Sequence, residues 1–280
     1  MNIKITSDST CDLSAEILEL YNISLLPLHI EKGGNMFQDG VDIYPEDIFY
    51  HVSNGGAICT TSAVNPLEYK SFFEQFVNKY DAVIHINIGS GFSSCYQNAC
   101  IAAQEFGNIF VVDSMNLSAG QGHVVVEAAI KAAEGYPADR IMEELAYIIP
   151  KIRASFLLDR LDYMVKGGRC SAVMALGANL LKLKPCIEVE NGKMRVGKKY
   201  RGTLKKCLMQ YIDDKLENAN KIASQRVFIT HTAISPEIAD AVKAAVGRKA
   251  IFEKIYETNA GCTVSCHCGQ NTLGVLFIEK

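Results

Sequence analysis

Compact apolar runs alternate along this chain with stretches whose apolar residues recur every three or four positions. "NIKITSDS" (2–9), "AVIHINI" (82–88) and "NIFVVDS" (108–114) are apolar runs that stop at polar residues, and helix-like sequence follows each. That order predicts an α/β protein with a largely parallel sheet. "ISLLPLHI" (23–30) predicts another strand, and "LSAEILELY" (13–21) a helix entered at Asp12. "NPLEYKSFFEQFVNKY" predicts a helix with Pro66 in its first turn, where a missing N–H costs nothing. Leu67, Phe72, Phe73, Phe76 and Tyr80 fall on one side of it. Ser118 and Gln121 have the spacing of a capping box ahead of "GHVVVEAAIKAAEG", which Gly135 closes. From Pro137 an amphipathic helix of about 15 residues is expected.

The texture changes near residue 153. "KPCIEVENGKMRVGKKY" (184–200) predicts a β-hairpin, because Asn191-Gly192 sits between alternating segments. A long helix follows, with Leu204, Leu208, Tyr211, Ile212 and Leu216 on one face. Then come "RVFITH", a helix from Ser235, "AIFEKIYE" (250–257) and the terminal strand "TLGVLFIE". Two domains are expected, 1–152 and 153–280.

Composition narrows the function. The 280 residues carry a formal charge of −3, so no charge excess recommends nucleic acid as a partner. The start, "MNIKITSDST", lacks a basic segment followed by an apolar one, so no secretion signal is expected. The longest apolar run falls short of the roughly 18 residues that span a bilayer. A soluble, cytoplasmic protein is expected. Its ten cysteines are irregularly spaced and fit reduced thiols used as small apolar residues.

Three segments share one design of strand, hydroxyl-rich turn and helix: "SDST" (7–10), "TTSAVNP" (60–66) and "GSGFSS" (89–94). "DSMNLSAGQG" (113–122) is a fourth candidate. Hydroxyls beside helix N-termini suit an anion, and in a parallel sheet such turns gather at the carboxyl ends of the strands. The alternative is that Ser, Thr and Asp only cap helices. There is no phosphate-binding G-x-x-x-x-G-K-[ST] and no G-x-G-x-x-G after a strand, so nucleotides are disfavoured and no cofactor is expected. A single carboxylate needs only two or three neutral donors.

"LDYMVKGGRCS" (161–171) offers Arg169 beside a Gly-Gly pair, either a site cation or a surface arginine at a turn. "CTVSCHCGQNTLG" (262–274) predicts a loop of small residues holding His267. Cys262, Cys266, His267 and Cys268 lack a second ligand pair, so the histidine is read as bonding an oxygen or as structural, rather than as a metal ligand. The stretch 193–206, "KMRVGKKYRGTLKK", holds seven basic residues and no acid. It is a solvated face, or a docking surface for an acidic partner or anionic lipid headgroups. An acyl-ester hydrolase with Ser93 as nucleophile, His267 as base and Asp113 as orienter is the rival function. Its elbow motif G-x-S-x-G is missing, since Cys95 stands at the second glycine.

In this order, "SDST", "TS" (61–62), "SGFSS-YQNA" (90–99), "VDS…S-G-G" (112–122), "LDYMVKGGR" (161–169), "KP" (184–185) and a terminal histidine-glycine loop resemble the DegV family of fatty-acid-binding proteins over essentially the whole chain. Where the family commonly has Thr-Ser-Gln-Pro-Ser this chain reads "TSAVN", and for Ser-Gly-Leu-Ser-Gly-Thr it reads "SGFSSC". The resemblance implies a two-domain α/β fold, a mostly parallel N-terminal sheet flanked by helices and a C-terminal domain with a mixed sheet. It implies one long-chain fatty acid held between the domains and presented to a fatty acid kinase catalytic subunit, which forms acyl phosphate for phospholipid synthesis. Carried over position by position, Thr61 and Ser93 bind the carboxylate, with Ser62 and Ser94 beside them and His267 near the head group. Arg169 serves the kinase step.

The energetics suit such a ligand. At about 0.8 kcal/mol per buried CH₂, roughly 15 methylenes offer on the order of 12 kcal/mol gross, and head-group hydrogen bonds about 1–3 kcal/mol each. The tail then dominates affinity and the head fixes direction. A protein that holds such a ligand needs an apolar corridor behind Thr61 and Ser93.

Overall fold

The structure, a computed structural model, describes residues 1–174, 183–249 and 251–280. Its first sheet is wholly parallel, in the order β2 (Ser24–Leu26), β1 (Ile3–Asp8), β6 (Ala82–Asn87), β7 (Ile109–Asp113). The three long apolar runs are strands because both faces are covered, as an unbroken hydrophobic run requires. Every residue of β6 is buried. The helices packed around this sheet are α1 (Ala15–Leu20), α3 (Pro66–Glu74), α4 (Cys95–Ala103), α5 (Ala119–Ala133) and α6 (Ala138–Ile148). A second sheet is mixed: β10 (Lys193–Arg201), β9 (Leu183–Glu190), β8 (Ile152–Leu157), β13 (Thr272–Ile278), β11 (Val227–Thr232), β12 (Ile255–Asn259). Only β11 and β12 run parallel in it. Helices α9 (Leu204–Lys215) and α10 (Pro236–Arg248) pack with it. Helix α5 touches both sheets, and the largest apolar core runs from Ile5 and Ile84 through Val124 to Ala154 and Leu276.

The sequence did not announce the third sheet, antiparallel strands β4 (Asn35–Gln38), β3 (His29–Lys32) and β5 (Thr60–Ser62), backed by α2 (Pro45–Ser53). It splits "ISLLPLHI" in two, because Pro27 interrupts the run and the halves enter different sheets. Other local expectations change as well. Ser14, not Asp12, caps α1: its hydroxyl accepts from Ile17 N, while Asp12 has left-handed φ of 50°. Leu67 is exposed, and Tyr69 takes the buried place on α3 beside Phe72 and Phe73. Ser118 and Gln121 form no capping box, for both side chains serve tertiary bonds: Ser118 donates to Asp12, and Gln121 bonds Thr10, Ser7 and Asp8. The run 262–274 is not all loop, since Cys262–Cys268 forms helix α11. Residue 250, the first of "AIFEKIYE", lies outside the described residues.

The hairpin forms as its turn dictates, with Asn191 and Gly192 both at positive φ. Asn65 and Glu68 make a reciprocal cap at the start of α3, with Pro66 in the first turn. No helix among the described residues is long and apolar enough to cross a membrane.

Candidate functional site

In the first sheet β1 leads to β2 on one side and has β6 on the other, so the order reverses between β1 and β6, a place where open α/β sheets bind ligands. The two loops leaving these strands behave differently. The "SDST" turn holds an anion, but it is the protein's own. Buried Asp8 accepts from Thr10 N (3.1 Å), Ile88 N (2.7 Å) and Gln121 Nε2 (2.9 Å). Burial raises its carboxyl above the ordinary value, and these donors oppose the rise. The turn is thus a brace for the β6 loop and offers nothing to a ligand.

The β6 loop opens onto a cavity of about 300 Å³. Thr61, Ser62, Ser93, Ser94, Arg169 and His267, drawn from four separate segments, all line it. Ser62 and Ser94 are exposed, while Thr61 and Ser93 are half-buried further in. Behind them the wall is Leu28, Ala63, Ile88, Phe92, Leu117, Met194, Val264 and Cys268. Arg169 is the one lysine, arginine or carboxylate among the described lining residues. A rim of hydroxyls with a single cation suits a singly charged anion, and the wall behind suits hydrocarbon.

His267 bonds another of these side chains. Its Nε2 lies 2.9 Å from Thr61 Oγ1, joining α11 to β5. Its Nδ1 is buried without a hydrogen-bond partner among the described residues. Burial, helped by the Arg169 charge, lowers its pKa to about 4, so the ring is neutral near pH 7. The Gly-Gly pair explains itself here. Helix α7 (Asp162–Gly167) ends against the imidazole, and a Cβ on Gly167 would sit 2.1 Å from Nδ1. Gly168 then turns the chain at φ +67°, and Arg169 returns a bond to the Gly167 carbonyl (2.8 Å). Helix α8 (Ser171–Met174) follows.

Two carboxylates far away in sequence hold α11 in place. Asp39 Oδ1 accepts from Cys262 N (2.8 Å), and its Oδ2 accepts from Thr263 N (3.1 Å) and the Thr263 hydroxyl (2.7 Å). Asp12 accepts from Gly261 N (2.8 Å), and burial pushes its pKa up to about 8. No sequence spacing marks this arrangement. Met194 was equally invisible, because the hairpin turn folds over the β6 loop: a Cβ on Gly91 would lie 2.2 Å from the Gly192 carbonyl oxygen.

The hydrolase constellation does not assemble. The Ser93 hydroxyl donates to Cys95 Sγ (3.1 Å), His267 bonds Thr61, and Asp113 accepts from Ser90 N (3.0 Å) and Met115 N (2.9 Å). Of the thiols near His267, that of Cys262 points to another partner, donating to the Ile43 carbonyl (3.2 Å).

The sequence profile described as "uncharacterised protein, DegV family" matches residues 2–280. The chain belongs to the DegV family. DegV domain-containing proteins of Caldanaerobacter subterraneus and Clostridium acetobutylicum are each 33% identical to it, over 99% of both chains. Among solved structures, a fatty-acid-binding DegV family protein from Thermus thermophilus superposes with a TM-score of 0.93 at 26% identity, covering 100% of both chains. DegV of Bacillus subtilis, a fatty-acid-binding protein, gives 0.88 at 26% over 100% of both chains. A stearic acid-binding protein from Eubacterium ventriosum gives 0.86 at 25%, covering 99% of this chain and 98% of that one. The DegV fold, a parallel sheet joined to a mixed one, is therefore common to this chain and proteins that bind fatty acids.

Proposed function

We propose that this DegV protein is a cytoplasmic carrier that binds one long-chain fatty acid between its two halves, 1–152 and 153–280. The observation that carries this reading is the cavity: hydroxyls at its mouth, one cation, and an apolar wall behind. The carboxylate sits among Thr61, Ser62, Ser93, Ser94 and His267. Thr61 donates to the carboxylate while His267 Nε2–H donates to Thr61, a chain of bonds that fixes the head group. The neutral imidazole adds no second charge.

The protein itself breaks no bond. It presents the carboxylate to a fatty acid kinase, which forms acyl phosphate for phospholipid synthesis. Arg169, exposed at the rim, meets the charge that develops there. Of the seven basic residues in 193–206, Arg195, Lys198 and Lys205 are paired with acids of neighbouring elements. Transient contact with an anionic membrane therefore rests on Lys193, Lys199, Arg201 and Lys206.

Solvent extraction of the purified protein, followed by mass spectrometry, is expected to release a fatty acid in equimolar amount. Recovery of none, together with no binding in titration, refutes the reading. Arg169→Ala is expected to retain the fatty acid and to slow its phosphorylation by the kinase. Abolished binding with normal phosphorylation of the residual complex would overturn that role.

A further inference from the structure

Past Leu117, Val264 and Cys268 lies a second, smaller void of about 20 Å³, room for one water-sized group. Those three residues line both spaces and so form the partition between them. Val264 and Cys268 stand four apart on α11 and share one face of it. Every residue that lines the inner void is buried except Val264, which is half-buried. Its far wall is one face of the mixed sheet: Gly274 pairs with both Thr230 and Phe156, and Thr272 with Thr232. The threonine hydroxyls of that face are engaged within the protein, Thr230 with Thr258 (2.8 Å), Thr232 with the Gly269 carbonyl and Thr272 with the Cys268 carbonyl (2.9 Å).

Leu117 is the firmly held member of the partition. Its carbonyl accepts from Gly120 N (3.1 Å) and Gln121 N (3.4 Å), and the hydroxyl of the next residue, Ser118, donates to Asp12. Its side chain is buried. A methylene laid along the outer wall leaves water and improves binding about fourfold, equivalent to about 0.8 kcal/mol. A methylene that reaches the partition has to push packed side chains aside, and overpacking cancels what its burial gains.

Building on the fatty-acid reading, we propose that Leu117, with Val264 and Cys268 beside it, is the floor on which the acyl chain ends. Leu117 is then the residue that sets the longest chain held without loss of affinity.

The test is titration calorimetry of the intact, delipidated protein with saturated acids of every length from decanoic to eicosanoic. In the parent, affinity is expected to rise about fourfold per methylene up to a break and to gain nothing beyond it. Leu117→Ala deepens the corridor and is expected to move the break about two to three carbons longer. An acid two carbons past the parental break then binds this variant about tenfold tighter than it binds the parent. Leu117→Phe is expected to move the break shorter. Leu28 lines the outer cavity alone, so Leu28→Ala is expected to leave the break in place. Circular dichroism checks that each variant is folded, and if one Leu117 variant is not, the direction seen in the other decides. If the parent shows no break, if neither Leu117 variant moves it, or if Leu28→Ala moves it as far, the floor proposal falls alone. If no acid of any length binds, the carrier reading falls with it.

Discussion

Replacing Gly167 by alanine sets two effects of opposite sign against each other. Gly167 is the last residue of α7 and its φ is not positive, so alanine fits the backbone and should gain about 0.5–1 kcal/mol over glycine. Its Cβ, however, would lie 2.1 Å from His267 Nδ1, against 3.4 Å for ordinary contact. The ring must retreat by about 1.3 Å, the difference of those two distances, which breaks its 2.9 Å bond to Thr61. Overpacking costs about 1–3 kcal/mol, and the lost hydrogen bond about 0.5–1.5 kcal/mol. The net expectation is a destabilisation of about 1–3 kcal/mol. In a His267→Ala background both penalties vanish and only the helix gain remains, so the same substitution stabilises. Urea unfolding of the parent, both single variants and the double variant near neutral pH measures the coupling, expected at about 2–4 kcal/mol. Equal effects of Gly167→Ala in the two backgrounds, within about 0.5 kcal/mol, would refute the claim that the glycine exists to admit the imidazole.

Three further outcomes are expected. Thr61→Val removes the hydroxyl that donates to the carboxylate and accepts from the imidazole, weakening fatty-acid binding by about 1.5–3 kcal/mol in calorimetry; unchanged affinity would place the head group elsewhere. Buried His85, His123 and His267, with pKa lowered to about 3, 3 and 4, bind fewer protons folded than unfolded. Their stabilisation is present above about pH 6.5 and is lost as pH falls toward 4 and 3; His267 alone accounts for about 3 kcal/mol of it. Asp12 acts in the opposite sense, with stability lost as pH rises through about 8. Urea midpoints of His267→Gln should therefore fall less between pH 6.5 and 4 than those of the parent, and parallel curves would contradict its burial as a neutral ring. Gly91→Ala drives a Cβ into the Gly192 carbonyl and should lower stability by about 1–3 kcal/mol while speeding release of bound fatty acid; normal release would mean that the hairpin is not part of the closure.

What the sequence disclosed follows from the length and covering of each element. Buried strands such as β6 and the Asn191-Gly192 hairpin carry their own signatures, and they form as expected. The β3, β4 and β5 strands are three or four residues long and partly exposed, too short for any alternation to register. Helix α11 is buried almost all round, with Cys262, Thr263, Ser265, Cys266 and Cys268 inaccessible, so no polar face betrays its period. The six residues expected at a site do share one cavity, because each stands in a distinctive local string. Asp12, Asp39 and Met194 stand in no such string, and their relation to the cavity exists only in three dimensions. The "SDST" turn shows the converse: its composition fits an external anion, but its donors are taken within the protein, Ser7 by the Ile86 carbonyl, Ser9 by Asp39 and Thr10 by Asp8.

The seam where Gly91 meets the Gly192 carbonyl restricts how this lineage can diversify. A side chain on Gly91 would strike that carbonyl, whereas one on Gly192 would meet only the Met115 thioether at 3.3 Å, so Gly91 is the position that cannot host a bulkier residue without prising the halves apart. Any change in the shape of this seam has to act on flanking positions that possess side chains, Met115 and Met194 foremost. Those two are thioethers, pliable groups that can adopt new shapes without moving the main chain.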